Sequence, residues 1–219
     1  LEYFFCGGKE IRGYVTLSKL RRFLNICSDK YEVCKSVLCY LPNLRNARKT
    51  IQYLSPEEVI RFKAAVFDKT NNLTYKDKAI AGFLLYTPMR NSDIISLTLD
   101  SFDLRNNTFS FIQEKTASAV TLPITINLGN LVYDYCTNER EDTGSNKLFL
   151  SNNPPYNPLG KGGIEWAVSK IMFIAGIRQN KGDRKGTHIF RHRGATTMAQ
   201  NNVPAPVISA AMGHESPKS

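Results

Sequence analysis

The sequence is short of several things that would have narrowed its function at once. Histidine occurs three times, at His188, His192 and His214. Cysteine occurs five times, an odd number with no C-x-x-C pair, so the cysteines read as small buried apolar residues of a reducing compartment. Cys27 and Cys34, seven apart, are expected on one helical face. No apolar run is long enough to span a bilayer, and the N-terminus lacks a signal-peptide layout. There is no G-x-x-x-x-G-K-[ST] loop, no internal repeat and no low-complexity tract. The chain opens on Leu1 rather than Met, which reads as a fragment. Acidic residues are also scarce, 19 against 29 Lys+Arg, for a formal net charge of +10. A chain this basic calls for an anionic partner, nucleic acid first and an anionic membrane second. The 42% of hydrophobic residues is enough for a packed core.

Residues 1–41 read as helical, with Leu17, Leu20, Leu24 and Cys27 as an apolar stripe. The segment is too short for a stable domain and is expected to end a larger helical N-terminal domain. Residues 42–54 carry Arg45, Arg48 and Lys49 and read as a basic linker. A second unit, 55–219, opens on the capping box Ser55-Pro56-Glu57-Glu58. Val59, Phe62 and Val66 follow at helical spacing, and a helix near 75–86 buries Ile80, Phe83 and Leu84. Pro88 ends it, Arg90 sits in the break, and Asn91 or Ser92 is expected to cap a short helix to Leu97. The pattern then turns to strands at 99–104, 108–112 and 119–124, with turns at Asn106-Asn107 and at 114–118, the latter carrying Lys115. Helices return at about 126–137, 162–175, 187–200 and 205–212. The fold expected is mainly α with a small three-stranded antiparallel β-sheet. The loop 177–186 carries Arg178, Lys181, Arg184 and Lys185, a basic run as suited to DNA as to solvent.

The most informative stretch is His188-Ile189-Phe190-Arg191. With Thr187 as N-cap, His188 and Arg191 share the first turn of a helix while Ile189 and Phe190 turn to the core. An imidazole, a guanidinium and the positive end of a helix together suit a phosphate. Gly213 is placed to close the last helix and aim His214 back toward the first.

Three boxes in this order resemble the tyrosine recombinases. Thr87-Pro88-Met89-Arg90-Asn91-Ser92-Asp93-Ile94 is similar to that family's first-arginine box. His188–His192 is similar to its H-x-x-R-H box, and Met212-Gly213-His214-Glu215-Ser216 to its L-G-H-x-S box. The resemblance covers roughly Ser55 to Ser219. It implies that residues 1–41 end a core-binding, DNA-binding domain and that 55–219 form a catalytic domain. It further implies cleavage and rejoining of double-stranded DNA through a 3′-phosphotyrosine, with no metal and no cofactor, by a homo-tetramer on paired sites, in the cytoplasm.

Under that resemblance Arg90, Arg191 and His214 stabilise charge on the scissile phosphate. His188 assists there or takes the tyrosine proton, Lys115 protonates the leaving 5′ oxygen, and Asp93 orients an arginine. Arg45, Arg48, Lys49, Arg178, Lys181, Arg184, Lys185 and Arg193 would meet DNA. Two features depart from the pattern. Pro88 stands where the family has glycine, and none of the ten tyrosines follows His214, where the nucleophile belongs. Three other readings stay open at this point. His188 and His192 have the i,i+4 spacing of a zinc site, though Ile189 stands where that site needs its glutamate. The domain could bind DNA without chemistry, a role that does not require Arg90 or Lys115. A type IB topoisomerase relative would share the chemistry.

Overall fold

In the computed structural model, which describes residues 10–42, 53–180 and 183–213, the chain divides into two units, Leu1–Thr50 and Ile51–Ser219. In the first, α1 (Glu10–Cys27) and α2 (Glu32–Tyr40) form a helical pair. Leu17 is buried in it, and Leu20, Leu24 and Cys27 are half-buried, as their spacing predicts. The continuous helix implied by the sequence is broken. Ser28–Lys30 form a turn in which the Tyr31 N–H donates to Cys27 O at 2.9 Å. Cys27 therefore ends α1 while Cys34 lies in α2, so the two share no helical face. The stretch 43–52, with Arg45, Arg48 and Lys49, lies outside the described residues.

The second unit is mainly helical with a small antiparallel sheet. Its first helix, α3 (Pro56–Phe67), starts where the capping box predicts. Ser55 Oγ accepts from the Glu58 N–H, and the Glu58 carboxylate accepts from the Ser55 N–H at 2.8 Å. The next helix, α4 (Tyr75–Tyr86), is the centre of the unit. It buries Ile80, Phe83 and Leu84, and it is capped by Thr74 and Asp77 in the same reciprocal way. Gly82 lets α6 (Ile126–Asn138) approach α4 closely, because a Cβ there would lie 2.9 Å from Leu131 Cδ1. Phe83 meets Phe109 and Phe149 edge-on, at centroid separations of 5.7 and 5.9 Å.

The sheet has the order β1-β2-β3, antiparallel throughout, with β2 (Thr108–Ile112) in the middle and β3 (Ala119–Pro123) opposite. Phe109 pairs with Leu122 and Phe111 with Val120, all four facing the core. The expected strand 99–104 is much shorter than its hydrophobicity suggested. Leu99–Ser101 form a 3-10 turn, and only Phe102–Asp103 pair as β1. Ser101 Oγ accepts the Thr98 N–H there, and such local side-chain bonding competes with a ladder.

Three more helices complete the unit: α7 (Lys161–Ile174), α8 (His188–Gln200) and α9 (Ala205–Met212). Phe190 of α8 packs edge-on against Phe62 of α3, centroids 4.7 Å apart, which fixes α8 on the core. Among the described residues, no helix is long and apolar enough to cross a membrane.

Candidate active site

The site begins where α4 ends. Thr87 caps that helix, its hydroxyl donating to Phe83 O at 2.6 Å, and Pro88 prevents continuation. The chain runs extended through Pro88-Met89 into α5 (Asn91–Ser96). The cap of α5 is not Asn91 or Ser92 as expected. Arg90 occupies the N-cap position, and its backbone N–H donates to the Asp93 carboxylate at 3.3 Å. The same carboxylate, with Asp93 0% exposed, lies 3.8 Å from the Arg90 guanidinium. Asp93 thus closes the helix start and orients the arginine before it.

Arg191 reaches this point from the far side of the unit. It lies in the first turn of α8 and is only 6% exposed. Its guanidinium donates through Nη1 to the carbonyl of Pro88, 103 positions away in the chain, and through Nη2 to Met212 O at 2.6 Å. Burial, with the positive charge of Arg90 adding to it and Asp93 opposing, pulls its pKa down to about 10. Arg191 is therefore still charged at neutral pH.

One residue that the sequence reading passed over ties these parts together. Gln113, 1% exposed, follows β2. Its Oε1 accepts from Arg90 Nη1 at 2.7 Å and from Thr116 Oγ1 at 2.9 Å. Its Nε2 donates to Met212 O at 3.3 Å, the same carbonyl that Arg191 holds. A signal for it existed. Phe109 and Phe111 alternate inward along β2, and the next inward position is polar. Gly213, next to Met212, is left-handed at φ +59, and a Cβ there would fall 2.0 Å from Gln113 Oε1. That single position therefore needs glycine for two separate reasons.

The other expected residues sort as follows. Lys115 is exposed on the turn 114–118, where the Ala117 N–H donates to Gln113 O at 2.9 Å and Ala117 is left-handed at φ +53. His188 is exposed at the first position of α8. Thr187 precedes it as expected but makes no side-chain cap bond, because its backbone is already helical. His192 is half-buried, and burial, then the charges of His188, Arg184 and Arg191, holds its pKa below the usual histidine value. His214 and Lys181 lie outside the described residues.

Lys185 and Arg184 are exposed and Arg193 is half-buried, beside Pro88 and Phe190 in a cleft of about 360 Å³. Arg178, grouped above with the DNA-facing residues, is bound within the fold. Its guanidinium holds the Glu58 carboxylate at 2.9 and 3.1 Å and Tyr53 O at 2.7 Å. Among the described residues, no group of three His, Cys, Asp or Glu side chains is placed to hold a metal ion.

The arrangement is thus a pair of guanidiniums from distant segments, one carboxylate, and a glutamine bracing both, beside a turn that presents a lysine. The chemistry it suits is stabilisation of a doubly oxygenated anion such as a phosphodiester.

Comparison with known proteins agrees with that class. Residues 52–219 match the phage integrase family, and the chain belongs to that family. It is 26% identical over 170 residues to the tyrosine recombinase XerH of Campylobacter jejuni, spanning 77% of this chain and 46% of XerH. The chain therefore covers about half the length of that relative. It is also 26% identical over 202 residues to the tyrosine recombinase XerD of Staphylococcus haemolyticus, spanning 90% of this chain. Its fold is similar to that of lambda integrase, with a TM-score of 0.68 at 15% identity, covering 95% of this chain and 71% of that one.

Proposed function

We propose that this chain is the catalytic part of a site-specific DNA recombinase that cuts and rejoins double-stranded DNA through a 3′-phosphotyrosine. The observation that carries the proposal is the meeting of Arg90 and Arg191. A buried guanidinium, Arg191, and a half-buried one, Arg90, are linked through Gln113 and the Met212 carbonyl, and among the described residues the carboxylate beside them is Asp93. A module that merely binds DNA gains nothing by desolvating arginines, because surface lysines hold phosphates without that cost. An active site does gain. Charge on the non-bridging oxygens peaks in the transition state, and donors already fixed in a poorly solvated pocket stabilise it without reorganising.

In this reading a tyrosine oxygen attacks phosphorus while Arg90 and Arg191 hold the non-bridging oxygens, with His214. The P–O5′ bond breaks, and the electron pair leaves on the 5′ oxygen, which takes a proton from Lys115. His188 receives the tyrosine proton or supports the phosphate. The phosphotyrosine conserves the bond energy, so the reverse attack by a 5′ hydroxyl rejoins DNA without a nucleotide cofactor. Lys185, Arg184 and Arg193, with the linker arginines Arg45 and Arg48 and with Lys49 and Lys181, would track the backbone. Assembly as a tetramer on paired sites, on DNA in the cytoplasm, completes the proposal. The solved XerH, described as bound to its difH substrate, and lambda integrase, described as bound to a core site, support DNA as the partner.

The test is covalent trapping on a suicide DNA substrate. The protein in a form in which a tyrosine follows His214 is expected to form a 3′-phosphotyrosine adduct with a free 5′ hydroxyl. Residues 1–219 alone are expected to bind that DNA and form none. An adduct on residues 1–219 would make an internal tyrosine the nucleophile. DNA bound tightly by the natural protein without any adduct would leave a binding module instead.

A further inference from the structure

We propose that Gln113 is the positioning residue that makes the lysine-bearing turn and the phosphate-holding arginine act as one unit. The inference rests on the function proposed above and names a residue whose part in it has no sequence box. Gln113 stands at the junction of three segments that are far apart in the chain. Its Oε1 accepts from Arg90 and from Thr116, the residue after Lys115. Its backbone N–H and C=O close the turn, donating to Ser118 O at 3.0 Å and accepting from the Ala117 N–H at 2.9 Å. Its Nε2 donates to Met212 O, which also receives Arg191.

The residue type matters. A buried side chain must satisfy its polar atoms, and here an acceptor faces a guanidinium and a hydroxyl while a donor faces a carbonyl. Only an amide offers both on one flat group. A carboxylate would keep the Oε1 side and turn a second acceptor toward Met212 O. An apolar side chain of the same length would lose every one of these bonds and leave the Met212 carbonyl to Arg191 alone. The Oε1 link is the important one. Lys115 itself is exposed, and among the described residues its ammonium group makes no ion pair or hydrogen bond. What sets the turn relative to the phosphate is the bond from Thr116 to the oxygen that also holds Arg90. When the turn and Arg90 share one acceptor, the proton donor and the charge stabiliser keep a fixed separation through the reaction. Misplacing a reacting group by about 1 Å can cost on the order of 10²-fold in rate.

The experiment compares the unaltered natural protein with Gln113→Met and Gln113→Glu. Single-turnover cleavage is measured on ordinary DNA and on DNA whose leaving 5′ oxygen is replaced by sulfur. A thiolate departs without taking a proton, so the sulfur substrate removes the need for a placed acid. Gln113→Met is expected to cleave ordinary DNA roughly 10²-fold more slowly, with unchanged DNA affinity. On the sulfur substrate that loss is expected to shrink by at least several-fold, leaving the part due to Arg90. Gln113→Glu, which keeps the acceptor for Arg90 and Thr116 but adds a carboxylate beside the arginines, is expected to be slow on both substrates, with less rescue by sulfur than Gln113→Met. The proposal is overturned if Gln113→Met cleaves like the unaltered protein, if its loss is equal on both substrates, or if sulfur rescues Gln113→Glu as much as Gln113→Met. An unaltered protein that forms no adduct would overturn the proposed function and the role of Gln113 with it. An active unaltered protein with an equally active Gln113→Met would overturn the role of Gln113 alone.

Discussion

Two clusters of buried charge lie in the second unit, and they differ in how their charges balance. One surrounds the start of α4. Lys76 is 7% exposed, and its ammonium donates to Leu150 O at 2.9 Å and to the Asn152 amide oxygen. Asp77 pairs with Lys170 at 2.9 Å, and Glu139 accepts the Lys76 backbone N–H at 2.9 Å. Burial lowers the Lys76 pKa while Glu139 and Asp77 oppose the shift. Two ammonium groups there have two carboxylates nearby, one of them, Asp77, ion-paired with Lys170. The other cluster holds Arg90, Arg191 and Asp93, two guanidiniums for one carboxylate. Both clusters are desolvated and richly hydrogen-bonded. Among the described residues the second has two guanidiniums to one carboxylate, and an excess kept at that cost points to an anion that binds from outside.

That contrast can be broken in order of expected effect. Arg191→Ala in the natural protein should slow cleavage by about 10²–10³-fold while DNA affinity changes little, because the charge it meets is largest in the transition state. Lys76→Met should leave the cleavage rate unchanged, as single-turnover assays of both variants would reveal. Equal losses in the two would abolish the distinction between the clusters.

Next in size is Gly213→Ala. It sets a Cβ both in the left-handed region and on the Gln113 amide, and should cost about 1–3 kcal/mol of stability, read as a lowered melting temperature. A smaller effect concerns the surplus charge. Sulfate should stabilise the unaltered protein by about 1 kcal/mol at concentrations a few times its Kd, through the two arginines. Melting curves should show that increment kept in Lys76→Met and lost in Arg191→Ala.

The smallest effect is the pH response of His192. Its folded pKa lies below the unfolded value, so the unfolded chain takes up the proton first. The neutral form's contribution to stability is present above about pH 6.5 and is lost as pH falls through the lower folded value. His192→Gln should flatten the melting profile over that window.

Much of the site was legible because its chemistry fixes residue types at short spacing. His188 with Arg191 and the hairpin around Lys115 follow from local pattern, Arg90 with Asp93 from the family resemblance, and the structure brings Arg90, Asp93 and Arg191 together. The helix start at Ser55 is equally local, since its capping box lies within four residues. What escaped was set by distance in the chain. Two of the partners of Gln113 lie 23 and 99 positions away at Arg90 and Met212, so the inward polar position after Phe109 and Phe111 shows a buried polar residue but not what it joins. Arg178 sat in a basic run that suggested DNA, while its partner Glu58 lies 120 positions away. The break at Ser28–Lys30 and the shortened β1 were missed because apolar spacing continues across both, although backbone bonding does not.

Arg90 and Arg191 are expected to share one phosphate. A crystal structure of the natural protein on its DNA site tests it most directly. The expected result is a scissile phosphate with non-bridging oxygens about 3 Å from both guanidiniums, and with Gln113 still bonded to Arg90. A scissile phosphate held by surface lysines, with Arg191 still donating only to Pro88 and Met212, would contradict it.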